Sequence, residues 1–167
     1  MTIKNLKIFD DNRKLKALKI IALAFLGILL LWFTFNITGL KIGNTKIVIS
    51  AFIDEPIDFL FYFVFIASIV VFILNDKIGK YMLSAFLLLW GGFQFTTYFK
   101  TGESIAAYNK TFADTHHIIA ASQETLIKDT YHIFLDIFIL LAFIVIMLFL
   151  IVKIVSSKKK SQARENL

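Results

Sequence analysis

Residues 133–152 read IFLDIFILLAFIVIMLFLIV, and only Asp136 is charged among these 20 positions. At a rise of ~1.5 Å per residue, a helix of this length crosses a hydrocarbon core about 30 Å thick. Three further runs have the same character, at residues 20–39, 57–75 and 81–98. The sequence therefore predicts an all-α integral membrane protein, a single membrane domain over residues 1–167 in which four transmembrane helices form a bundle.

The composition favours the same interpretation. Hydrophobic residues make up 58% of the chain, 19 of them are phenylalanine, and the mean hydropathy is +0.76. A water-soluble fold would leave too much of this apolar surface exposed, whereas lipid removes the difficulty. The absence of cysteine excludes disulfides and every cysteine-based metal site or nucleophile. The single proline and the many Lys, Ile and Phe residues hint at an AT-rich bacterial genome, and hence at a bacterial plasma membrane.

The basic residues are distributed unevenly along the chain. Thirteen of the 18 lie in residues 1–19, in the short segment 76–80 and in the tail after 152. When acidic residues are included, these segments carry a net charge of +9, against −3 for loops 40–56 and 99–132 counted together with Asp58 and Asp136 at the outer ends of their spans. Positive charge stays cytoplasmic, so both termini are expected inside, against the anionic lipids of the inner leaflet, and the two loops outside. Nucleic-acid binding is not expected, because no aromatic residues interleave a basic groove.

The two outer loops differ in their pattern. In residues 41–49, a Gly43-Asn44 pair stands between β-branched residues, which predicts a small β-hairpin. In the longer loop, apolar residues recur every seven positions, which predicts an apolar stripe on a helix over about 103–129. The recurring residues are Ile105, Phe112, Ile119 and Leu126. Together the hairpin and this helix would form a small extracytoplasmic cap.

Each predicted span places a polar side chain near its outer end: Asn36, Asp58, Gln94 and Asp136. His132 precedes Asp136 by four residues and so shares its face of the helix. A carboxylate one turn inside an apolar span normally faces the bundle or water. These five residues therefore predict an outward-opening polar ligand pocket with His132 and Asp136 at its base. The alternative is that Asp136 is an interfacial residue that extends outward and caps its helix.

A metal site is a second hypothesis for the same region. Zinc or copper requires three or four converging ligands, commonly histidine with carboxylate. Asp114 with His117, and His132 with Asp136, supply two pairs at helical spacing. The spacing matches no metal-binding signature, and adjacent histidines such as His116 and His117 often lie on a solvated helix face. No cofactor-binding motif is present, so no cofactor is expected unless this site holds zinc or copper.

The motifs of enzymes are also missing. The sequence contains no Ser-His-Asp pattern, no His-Glu-x-x-His and no glycine-rich phosphate loop. We therefore expect a non-enzymatic accessory, immunity or sensor protein whose outer loops bind a membrane-protein partner, a second copy of the chain or an envelope ligand. The alternative is a membrane protein that handles a metal or small ligand in the pocket around His132 and Asp136. The plan of four spans with a larger second outer loop is similar to that of tetraspanins, but their cysteines are absent and the likeness implies no function.

Overall fold

A computed structural model describes residues 3–51 and 56–165 of the chain, and it is mostly helical. Its helices are α1 (Ile3–Thr38), α2 (Pro56–Leu74), α3 (Asp76–Thr96), α4 (Glu103–Thr111) and α5 (Thr130–Glu165), with a short 3-10 turn at Thr97–Phe99. Two short strands, β1 (Leu40–Ile42) and β2 (Thr45–Val48), follow α1. The four predicted spans fall on α1, α2, α3 and α5. Helix α1 begins well before its predicted span, and α5 continues well after its predicted span. The side chains of the basic residues before Arg13, and those at 159, 160 and 164, lie outside the described part of the structure.

Three helical segments are long and apolar enough to cross a membrane: Arg13–Thr38, Ile57–Leu74 and Thr130–Lys158. These three candidate spans among the described residues suggest a membrane-embedded protein. Helix α3 has 21 residues but is less apolar, because Lys80, Ser84 and Gln94 interrupt its hydrophobic sequence. The predicted span at residues 81–98, on α3, therefore stays a prediction, because the length and composition of this helix do not establish it.

The four long helices pack in a ring in which α1 contacts α2 and α5, and α3 contacts α2 and α5. Their shared core contains Leu29 and Phe33 of α1, Phe65 of α2, Trp90 of α3 and Ile139 of α5, all buried. Large apolar side chains on the outside of each helix stay exposed. Leu31, Phe63, Leu88 and Leu140 are examples, each more than half exposed. An apolar exterior of this kind suits a lipid environment.

Helices α2 and α3 are joined by one residue, Asn75, whose side chain accepts a hydrogen bond from the backbone N–H of Lys77 at 3.1 Å. The turn brings Gly79 against the backbone of Phe72, where an added Cβ would lie 2.2 Å from the Phe72 Cα. Glycine is therefore required for the close approach of the two helices at this point.

The predicted hairpin is confirmed. Strands β1 and β2 are antiparallel, with Lys41 opposite Lys46 and Ile42 opposite Thr45. The turn residue Gly43 has a φ of 61°, a conformation that glycine adopts without strain. Gly39, with a φ of 78°, ends α1 and directs the chain into β1.

The predicted helix over 103–129 is wrong beyond Thr111, where α4 ends. The chain then turns to pair with the hairpin: the backbone N–H of His116 donates to the Lys46 carbonyl at 2.8 Å. Ile105, Phe112 and Leu126 still meet in one apolar cluster, which also contains Tyr108. They do so because the loop folds back, and not along one helix face. Ile119, the fourth member of the predicted stripe, is exposed.

Candidate functional site

A cavity of about 350 Å³ lies at the end of the helix ring that carries the hairpin and α4. All four long helices line it, through Asn36 of α1, Asp58 of α2, Gln94 of α3 and His132 of α5. Residues after β2 and the residues Tyr108, Thr111 and Phe112 form further parts of the wall. Four of the five side chains of the predicted pocket therefore line one cavity, while the binding of a ligand there stays a prediction.

Aromatic side chains hold the helices together beside this cavity. The rings of Trp32 in α1 and Tyr131 in α5 stack with centroids 5.4 Å apart. The Trp32 indole N–H donates to the Tyr131 carbonyl at 3.2 Å, and the Tyr131 hydroxyl donates to the Trp32 carbonyl at 3.3 Å. Phe33 and Trp90, with ring centroids 4.5 Å apart, line the cavity itself. The cavity thus combines polar groups with an aromatic wall, a combination common in small-molecule sites.

Asn36 and Asp58 interact directly across the α1–α2 interface. The Asn36 amide donates to an Asp58 carboxylate oxygen at 2.5 Å, and Asn36 is buried. Asp58 occupies the first turn of α2, where the positive end of the helix dipole favours a carboxylate. The second Asp58 oxygen makes no hydrogen bond within the described residues, so this carboxylate can accept from a bound molecule.

His132 is held by Asp129 and not by Asp136. The Asp129 carboxylate accepts from the His132 backbone N–H at 3.0 Å and pairs with the ring Nδ1 at 2.5 Å. Burial alone would raise the pKa of the Asp129 carboxyl, but the hydrogen bonds and charge of His132 hold it below its usual value. An ionised carboxylate can only accept, so the Nδ1 carries the proton. The ring Nε2 makes no hydrogen bond to any described residue, and His132 lines the cavity.

Asp136 belongs to a different polar group, outside this cavity. Its carboxylate pairs with Lys128 at 2.8 Å and accepts from the Tyr98 hydroxyl at 2.6 Å. Lys128 is buried and also donates to the backbone carbonyl and the side-chain oxygen of Gln94, at 3.0 and 3.1 Å. We expected Asp136 and His132 to form the base of one pocket. In the structure only His132 lines the cavity, and Asp136 lines the groove between α3 and α5. They share a helix face, but each has a nearer partner in the segment that precedes α5.

The Lys128–Asp136 pair lies beside an apolar groove between α3 and α5 of about 450 Å³. Burial lowers the pKa of the Lys128 ammonium, although the hydrogen bond and charge of Asp136 oppose this effect. Three acceptor groups and the ring of Tyr98, 4.4 Å from the Nζ, surround the ammonium. This arrangement satisfies a charge that would otherwise be costly to bury. We interpret the group as a structural tie that joins the second loop to α3 and α5.

Tyr108 places a buried polar atom without a hydrogen-bond partner at the wall of the cavity. It is buried, its hydroxyl lacks an acceptor among the described residues, and it lines the cavity together with Lys100. The Lys100 ammonium lies 5.8 Å from the centre of the Tyr108 ring. Burial raises the pKa of the Tyr108 hydroxyl, so the group stays a hydrogen-bond donor at neutral pH. Buried polar groups normally have partners, and one without an acceptor suggests a place for a ligand atom or water.

The four residues of the metal hypothesis are not brought together. Asp114 pairs with Lys46 at 2.9 Å, and the His117 Nε2 lies 3.1 Å from the Phe112 carbonyl. His132 and Asp136 have the separate partners given above. Among the residues that the structure describes, no group of three or more His, Asp or Glu side chains is placed to hold a metal ion. The geometry thus lends no support to the predicted zinc or copper site, which stays an untested prediction.

Sequence reasoning missed Lys128, Asp129, Tyr98, Lys100 and Tyr108. The sequence did contain a signal for Lys128. This lysine lies just before a span that carries Asp136 in its second turn, and a buried charge normally requires a partner of opposite charge. Asp129 and His132 also had the spacing of a helix-capping pair. Tyr98, Lys100 and Tyr108 come from a segment without a regular pattern, so only the folded chain reveals their positions.

Comparison with known proteins gives no relative for this chain: no family model, no curated protein and no solved structure matches it.

Proposed function

We propose that this chain is a four-span protein of a bacterial plasma membrane, with both termini cytoplasmic, that binds a small polar ligand in its outer cavity without catalysing a reaction. The observation that carries the proposal is the cavity itself, to which four helices and both loops contribute side chains. A ligand there would touch every long helix at once. Its binding could therefore change the packing of the whole ring, which is what a sensor or accessory protein requires.

The ligand that fits the cavity carries groups of both charges and an apolar part. Asp58 offers a carboxylate, Lys100 an ammonium, and the Tyr108 hydroxyl a donor without an acceptor. Phe33 and Trp90 offer flat apolar surface. A small amphoteric molecule such as an amino acid or short peptide combines these features, whereas a metal ion would use few of them.

A partner protein is the second candidate, and a separate surface favours it. Ile118 and Ile119 are adjacent, more than half exposed, and lie in the loop after α4. If the outer cap docks on another membrane protein, these two side chains are the apolar contact it offers. Ile119→Asp should then abolish co-purification of the partner while leaving ligand binding in the cavity unchanged.

Ligand binding is testable with the full chain in detergent micelles. A thermal-shift screen of amino acids and dipeptides should give a hit that raises the unfolding temperature of the natural protein. Asp58→Asn should weaken that hit at least tenfold, because the carboxylate loses its charge at nearly unchanged size. Asp114→Asn is the matched control, since Asp114 is exposed and outside the cavity, and it should bind normally. No hit, or equal weakening by both variants, would contradict the proposal.

Orientation and span number are tested separately. Single cysteines introduced at Asn44 and Ser104 should react with an impermeant thiol reagent on intact cells, and one at Ser161 should react only after lysis. If α3 did not cross the membrane, the two outer cysteines would label from opposite sides. The reverse pattern at all three positions would place the cavity on the cytoplasmic side.

A further inference from the structure

The end of the helix ring opposite the cavity carries a cluster of lysines between the helices. Lys19 of α1, Lys80 of α3 and Lys153 of α5 surround a single carboxylate, Asp76 of α3. Lys153 forms an ion pair with Asp76, and all three lysines act electrostatically on it. The cluster therefore has two positive charges in excess.

The lysines are held in place by aromatic rings. Phe72 and Phe149 are buried and meet edge to face, with centroids 5.3 Å apart. The Lys19 ammonium lies 5.3 Å from the centre of the Phe72 ring, and the Lys153 ammonium lies 5.6 Å from that of Phe149. The two ammonium groups thus stand over one aromatic pair, at the junction of α1, α2 and α5. Lys19 also donates to the Ile73 carbonyl at 3.1 Å, at the end of α2.

Lys80 is the informative member of the cluster. Only 6% of the residue is exposed, and its ammonium makes no hydrogen bond or ion pair with any described residue. Its one contact of note is with the Tyr81 ring, whose centre is 4.8 Å away. Asp76 lies one helical turn before it but is paired with Lys153. The side chain of Lys80 is therefore mostly buried, while its ammonium reaches the surface without an anionic partner among the described residues.

We propose that Lys19, Lys80 and Lys153 form an interhelical site for the phosphate group of an anionic phospholipid. The cluster lies where candidate membrane-spanning helices end, at the level where lipid phosphates lie, and basic pockets between such helices bind anionic headgroups. The phosphate accepts from Lys80, and the excess of two positive charges matches a lipid that bears a net negative charge. Asp76 keeps the cluster from becoming too strongly positive when no lipid is bound. This proposal depends on membrane insertion but not on the ligand of the outer cavity.

The site is tested by titrating the purified full-length protein in neutral detergent with phosphatidylglycerol or phosphatidylcholine and counting bound lipids by native mass spectrometry. Phosphatidylglycerol should bind at least tenfold more tightly than phosphatidylcholine. Lys80→Gln should weaken phosphatidylglycerol binding about fivefold, the factor expected for one lysine near a headgroup. Lys80→Arg keeps the charge and should keep the binding. Lys77→Gln removes an exposed lysine three positions away and should change the affinity less than twofold.

A gain of affinity separates this effect from damage to the fold. Asp76→Asn removes the only carboxylate of the cluster and should tighten phosphatidylglycerol binding. Equal weakening by Lys77→Gln and Lys80→Gln would show that surface charge alone attracts the lipid, and would overturn the proposal. Unchanged or weaker phosphatidylglycerol binding by Asp76→Asn would also overturn the proposal. Displacement of the lipid by inorganic phosphate, at an ionic strength where chloride has no effect, would assign the site to free phosphate and reject the lipid.

Discussion

The tie between Lys128 and Asp136 gives the sharpest quantitative prediction. In Lys128→Met the Tyr98 hydroxyl is the one hydrogen-bond donor left to the Asp136 carboxylate among the described residues. In Asp136→Leu the buried Lys128 ammonium keeps the two oxygens of Gln94 and the ring of Tyr98, but no described carboxylate. Breaking a buried ion pair from one side typically costs about 3–5 kcal/mol. Because 21% of the Asp136 side chain remains exposed, we expect the lower limit, about 3 kcal/mol, for each variant.

The double variant distinguishes a true ion pair from two independent contacts. Replacing both partners by apolar residues of similar size leaves no unpaired charge, so Lys128→Met with Asp136→Leu should cost about 1 kcal/mol or less. The interaction energy in the cycle should then exceed about 2 kcal/mol. The measurement is unfolding of the four proteins in mixed micelles of rising SDS fraction, followed by far-ultraviolet circular dichroism.

Additive single effects, within about 0.5 kcal/mol, would refute the reasoning, because additivity is the behaviour of residues that do not interact. The exposed pair Lys46–Asp114 is the matched control. Its N–O distance of 2.9 Å is nearly the same, but solvent screens both groups. The same cycle at Lys46 and Asp114 should therefore show no measurable coupling.

Two further predictions concern stability. Gly79→Ala should destabilise the protein by about 1–3 kcal/mol in the same assay, because the new Cβ would overlap the Phe72 backbone. The control is Gly92→Ala, whose Cβ meets open space among the described residues and which should be neutral or slightly stabilising. Equal effects of the two substitutions would contradict the close approach of α2 and α3 at Gly79. Asp129 has a lowered pKa, so its stabilising contribution is complete above its unfolded value near 3.8 and is lost as the pH falls through the lower folded value. In the natural protein the free energy of unfolding should fall with pH below about pH 4, and in Asp129→Asn it should fall less steeply. Identical slopes in the two proteins would show that Asp129 does not contribute to acid unfolding.

The sequence by itself determined the features that depend on local pattern. Apolar runs such as 133–152 predict helices that suit a bilayer, because lipid leaves backbone groups no partner except within the helix. The Gly43-Asn44 pair predicted a hairpin, because a two-residue turn needs a positive φ that glycine supplies. The convergence of these four cavity residues also followed from the sequence. Asn36 and Gln94 lie near the C-terminal ends of α1 and α3, Asp58 and His132 lie near the N-terminal ends of α2 and α5, and antiparallel packing brings those ends together.

Tertiary structure decided which partner Asp136 takes. Helical spacing paired His132 with Asp136, but spacing describes one helix and cannot include groups that other segments bring near. Lys128 pairs with Asp136 because its ammonium is buried between α3 and α5. His132 is held by Asp129, a local contact whose capping spacing is already present in the sequence. The seven-residue recurrence failed for the same reason. Beyond Thr111 the loop gains hydrogen bonds and apolar contacts by folding back on the hairpin, and those contacts outweigh the periodic pattern that favours a longer helix.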